Sequence, residues 1–164
     1  MNDLEYWLTG PIEGITDLLQ PVAHALLQVQ KELHEVLADF DQEKLWKRPN
    51  NVASVGFHLN HLVGVLDRLF TYADGGNLSD AQMAFLKNEA VENHEIGVGD
   101  LLQAFDLQVE KALSQLKKTN PEILAEVRYV GRKMIPSTVV GLLFHAAEHT
   151  TRHFGQLMVT VKLL

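Results

Sequence analysis

Eight histidines and no cysteine set the chemistry open to this chain of 164 residues. Three of the histidines, His145, His149 and His153, recur every fourth residue in FHAAEHTTRHFGQL, a spacing that raises them along one strip of a helix. Two more, His58 and His61, stand three apart in FHLNHL. Neutral imidazole is a good donor for zinc, nickel, copper or iron, and two histidines at i, i+4 can converge on one ion while a third arrives from a facing helix. Three nitrogen ligands leave at least one position open for water or substrate, the pattern of a catalytic site and not of a closed structural one. Water at such a zinc has a pKa near ~7. Spacing alone leaves a second reading open, in which these are core histidines satisfied by hydrogen bonds.

Such a cluster needs long helices to carry it. Val22, Leu26, Val29, Leu33, Val36 and Phe40 form one apolar stripe, which predicts a helix over about 20–39 with Pro21 in its first turn. Val55, Leu59, Leu62, Leu66, Leu69 and Ala73 predict a second over about 53–73, with Ser54 as N-cap and a stop near Gly75-Gly76. Residues 74–98 read as a crossover holding one short helix begun by Ser79-Asp80. Leu101, Phe105, Val109, Ala112 and Leu116 predict a third long helix over about 100–118, closed by Lys117-Lys118 at the negative end of its dipole. Val127–Pro136 reads as an irregular or extended connection, and Pro136-Ser137-Thr138 starts a last helix running from Val139 to about Val161. The fold class is therefore all-α, a four-helix bundle, in which sites are built from side chains on facing helices. The long crossover lets the second and third long helices run parallel, in up-down-down-up order. Leu142, Ala146, Leu157 and Val161 lie on or beside the strip of the last helix, so its histidines face the core.

Composition narrows the partners. Lys and Arg number 14 against 21 Asp and Glu, a formal charge of −7, which disfavours nucleic acid and anionic membranes. With 46% hydrophobic residues and no apolar run near ~20 residues, the chain reads as one globular domain over 1–164, neither disordered nor membrane-spanning. The acidic N-terminal stretch lacks the features of a secretory signal, so a cytoplasmic location is expected. The absence of cysteine removes disulfides, thiolate nucleophiles and Cys-based metal sites. No P-loop, Rossmann glycine pattern or H-E-x-x-H is present.

Other polar residues read more simply. His24, His34 and His94 lie off the apolar stripes and are expected at the surface. Glu148 and Arg152 form an i, i+4 pair on a solvent face. Asp67 and Arg68 read as ion-pair partners or as contacts behind a ligand. Gln156, three residues beyond His153, can hydrogen-bond a bound ligand. Ser54, Ser137 and Thr138 read as helix caps, Trp46 and Tyr72 as core or rim aromatics, and EYWLTGPIEG as a cap or a dimer contact.

The stretches LWKRPNNVASVGFHLNHLVGVLDRLF and HAAEHTTRHFGQL resemble the second-helix and fourth-helix segments of the DinB/YfiT-like superfamily of metal-dependent proteins. The fourth-helix signature is H-x-x-x-H, a small residue and Gln, often written HRGQ; Phe154 stands here where arginine is common. The resemblance covers nearly the whole chain. Matched residue by residue, it implies metal ligation by His61, His149 and His153, an up-down-down-up bundle, a homodimer, and zinc or nickel as the ion. It also implies thiol-dependent transfer or isomerisation with bacillithiol, mycothiol or glutathione on a small-molecule substrate. His58 and His145 each sit one turn from a matched ligand. Exchanging His58 for His61 would move the ligand about 4.5 Å along the axis, so His61 is preferred, and His58 and His145 read either as groups in the pocket or behind the ligands or as simple packing.

Three functions compete. The first is a divalent-metal-dependent, thiol-dependent S-transferase. The second is a non-catalytic bundle that binds a metal or a small ligand. The third, metal-assisted hydrolysis, needs a general base beside the activated water. Glu148 points away from the histidine strip, while Glu89, Glu92 and Glu95 belong to the crossover.

Overall fold

Each apolar stripe folds as a helix close to its predicted bounds. The computed structural model describes residues 4–164, so Met1, Asn2 and Asp3, the start of the stretch read for a secretory signal, lie outside it. The helices are α1 (Gln20–Leu37), α2 (Val55–Ala73), α3 (Asp80–Asn88), α4 (Val98–Lys118) and α5 (Val139–Leu163). Their starts are chemically marked. Ser54 Oγ accepts from the Phe57 N–H at 3.2 Å, satisfying one of the orphan donors of the first turn of α2. Ser79 and Gln82 form a reciprocal capping box on α3.

Polar ties at the helix ends fix their directions. Lys44 Nζ, just past α1, donates to the Leu164 carbonyl beyond α5 at 2.6 Å, so α1 and α5 run the same way. Gln115 Nε2 donates to the Phe70 carbonyl at 2.9 Å, which joins the C-terminal halves of α2 and α4. Thr160 Oγ1 donates to the Ala53 carbonyl at 3.0 Å, so α2 opposes α5. Helices α1 and α2 each pack against both α4 and α5. The shared core is apolar, with Leu26, Leu33, Leu59, Leu62, Leu66, Phe105, Leu116 and Leu157 all fully buried. Among the described residues no helix is long and apolar enough to cross a membrane.

One expectation is sharpened and two change. The connection over Val127–Pro136 is largely regular: β1 (Val127–Val130) pairs antiparallel with β2 (Ile135–Thr138), Val127 opposite Thr138 and Val130 opposite Ile135. Thr138 ends this hairpin and also caps α5, its Oγ1 accepting from the Gly141 N–H at 3.0 Å. Ser137 therefore lies in a strand and is not the cap. His24 is not a surface residue. It is only 8% exposed, because the N-terminal segment folds along α1 and brings the Gly10 carbonyl to 3.0 Å from His24 Nε2. Gln20 and Gln28 hold the same segment, accepting from the Ile12 and Tyr6 N–H groups at 2.7 and 2.9 Å. His34 and His94 are exposed as expected, beside Asp106 and Glu92.

Candidate metal centre

The seam between α2 and α5 brings the histidines together. Residue numbers rise along one helix as they fall along the other, so Ala53 meets Thr160, His58 meets His153 and His61 meets His149. Of the five histidines on these two helices, all but His145 thus gain a partner across the seam. One ligand nitrogen from each of His61, His149 and His153 lies within 4.8 Å of the others. His61 Nε2 and His149 Nε2 stand 2.9 Å apart. Nitrogens about 2.0–2.1 Å from a tetrahedral ion stand about 3.3 Å apart, so the three rings are already near the spacing that one ion requires.

Their electrostatics suit the same purpose. Burial, followed by repulsion from neighbouring imidazoles, holds His149 and His153 down to about 4, well below the ordinary histidine value. They are neutral at pH 7, the form in which imidazole ligates metals. The donor set therefore fits a divalent ion of borderline softness. His58 is also held down to about 4, first by burial and then by His153 and His61. It is 2% exposed and its Nδ1 lies 3.2 Å from Nδ1 of His153, leaving His153 Nε2 as the nitrogen free to ligate. Phe57 stacks on His61, with centroids 5.4 Å apart and planes at 15°.

Behind His61 stands a group that the histidine spacing did not reveal. Glu89, the residue after α3, is 4% exposed. His61 Nδ1 donates to its Oε2 at 2.7 Å, and Arg68 pairs with its other oxygen. A buried acid 28 residues from its imidazole leaves no local pattern. The available signal was Arg68 itself, at i+7 from His61 on the same helix face, since a buried guanidinium demands a carboxylate. Arg68 was expected in an ion pair and is in one; Asp67 pairs with Lys111.

Of the remaining candidates only His145 is seen against the cluster, its ring centroid 5.4 Å from that of His149. His145 and Gln156 are exposed. His145, Glu148 and His149 form a second group close enough to share an ion. Within that group Arg152 donates to Glu148 at 2.6 Å and reaches His149 Nδ1 at 3.3 Å, setting a positive charge where a second cation would have to sit. Glu148 is held below the usual carboxylate range, chiefly by that Arg152 hydrogen bond.

Comparison with known proteins agrees with this architecture. The sequence model of the DinB superfamily matches residues 25–157. A conserved protein from Enterococcus faecalis has a similar solved structure, with TM-score 0.72 and 18% identity over 90% of this chain and 97% of that one. A Streptococcus pneumoniae protein matches with TM-score 0.66 and 11% identity, over 90% of this chain and 89% of the other. At these identities the likeness is one of fold. No curated protein matches the sequence.

Proposed function

The chain belongs to the DinB superfamily, and from that membership and the histidine cluster we propose that it is a divalent-metal-dependent enzyme joining a low-molecular-weight thiol to an electrophilic small molecule. The observation that carries the reading is the convergence of His61, His149 and His153, one nitrogen from each within 4.8 Å. These three would hold the ion; imidazole donors suit zinc, nickel, copper or iron, and the family resemblance favours zinc or nickel among them. When bound, the ion supplies Lewis acidity that lowers the pKa of a thiol or a water. Neutral imidazoles add no charge of their own, so the ion's two positive charges stay available to the substrate, and the formal sum becomes −7 + 2 = −5. The chain has no cysteine, so the thiol must come with the substrate. Its sulfur bonds to the electrophilic carbon as the leaving group departs with the bonding electrons, and the thiol proton passes to solvent.

Thiol transfer is favoured over hydrolysis by the position of Glu89. That carboxylate sits on the Nδ1 side of His61 and is engaged by Arg68, so it is not free to serve as a base at an open coordination position. Glu92 and Glu95 are exposed. The test is metal analysis of protein purified without tag or chelator, followed by a thiol-plus-electrophile assay on wild type and His149→Ala. Stoichiometric metal, lost together with turnover in the variant, is the expected result. Metal without turnover would favour the non-catalytic bundle, and absence of first-row metal would sink the reading.

A further inference from the structure

Glu89, Arg68 and Gly64 form a built-in support for one imidazole. Glu89 is buried, and such a carboxylate survives only when its charge is matched and its lone pairs are used. Both conditions hold: Arg68 engages one oxygen and His61 Nδ1 the other. The peptide carbonyl of Glu89 also accepts from Asn60 Nδ2 at 3.3 Å, tying the end of α3 back to α2. Gly64 makes the approach possible. A Cβ there would collide with Glu89 Oε1 and with Arg68 Nη1, and would press on Phe85.

We propose that Glu89 is a positioning residue for the metal centre. By accepting the Nδ1 proton it fixes His61 in the tautomer whose Nε2 lone pair faces His149 and His153, while Arg68 keeps the carboxylate in place and Gly64 provides the room. The inference rests on the proposed metal-dependent function for its purpose, but the tautomer stands on geometry alone. An ionised acceptor behind a ligating imidazole fixes the ring and raises its basicity, and loss of such a partner weakens metal affinity by about 10–100-fold.

The first measurement needs no variant. Long-range nitrogen–proton NMR of metal-free wild type should show His61 protonated on Nδ1; protonation on Nε2 overturns the proposal. The second is a zinc competition titration of Glu89→Gln, which keeps the shape and loses the charge, and of Gly64→Ala, which touches no ligand. Both should bind zinc about 10–100-fold more weakly, with far-ultraviolet circular dichroism unchanged and with affinity largely recovered in Glu89→Asp. Wild-type affinity in Glu89→Gln overturns the proposal. If Glu89→Gln does not fold, the wild-type tautomer decides. Failure of the metal reading looks different: wild type would bind no zinc, yet His61 would still carry its proton on Nδ1.

Discussion

The Nδ1 atoms of His58 and His153 face each other at 3.2 Å across the α2–α5 seam, so one of them carries the proton and the other receives it. If His153 ligates through Nε2, its Nδ1 holds the proton and the buried His58 is the acceptor. His58→Gln keeps an acceptor and should leave zinc affinity within a few-fold of wild type. His58→Leu removes it and should weaken binding by about tenfold or more. A competition titration separates the two, and equal affinities would remove His58 from the support of the site.

Ligand and exposed histidines should part company. In His149→Ala the bound metal should fall to background by elemental analysis, whereas exposed His145→Ala should keep full occupancy. Saturating metal at about 100 times its Kd should stabilise wild type by about 2.7 kcal/mol, or about 5–10 °C in melting temperature for a chain of this size. The shift should vanish in His149→Ala. Equal shifts in wild type and in that variant would mean that the ion binds elsewhere.

The metal-free protein should lose stability in mild acid. His58, His149 and His153 are each held down to about 4 in the folded state, against about 6.5 when unfolded. Between these values the unfolded chain binds more protons, so stability is full above about pH 6.5 and falls as pH drops toward 4. Urea denaturation at a series of pH values measures this. A flat profile from pH 7 to 4.5 would contradict it.

Two substitutions test packing beside the site. Thr150 is fully buried, and its hydroxyl has no hydrogen-bond partner among the described residues. Thr150→Val, of the same shape, should raise stability by about 1 kcal/mol. Gly56 lies under the Trp46 ring, where an added Cβ would stand 2.7 Å from ring carbons. Gly56→Ala should therefore cost about 1–3 kcal/mol through overpacking. Chemical denaturation reads both, and a stabilised Gly56→Ala would show that Trp46 yields freely.

The long helices were legible because burial on one side of a helix writes itself as a repeat, as in Val55, Leu59, Leu62 and Leu66. The hairpin was not, because its pattern is inverted: Val127 and Tyr129 are exposed, while Arg128 turns back to donate to the Ala73 carbonyl at 3.0 Å. The burial of His24 depends on a coil segment that no periodicity governs. At the site, the i, i+4 spacing on α5 marked the candidate ligands, and the choice of His61 came from family resemblance. Glu89 escaped because its contacts span the crossover, and only tertiary packing brings such residues together.

Thr138 belongs to two structures at once, pairing with Val127 in the hairpin and capping α5 through the Gly141 N–H. The start of α5 is therefore pinned, and the phase of everything after it is counted from that point. One residue inserted between Thr138 and His149 would turn the later histidines by about 100°, carrying them off the seam. The turn at residues 131–134 lies before the pin and can lengthen or shorten without rotating them. Insertions and deletions compatible with the site should therefore collect in that turn, while the interval from Thr138 to His153 keeps a fixed length.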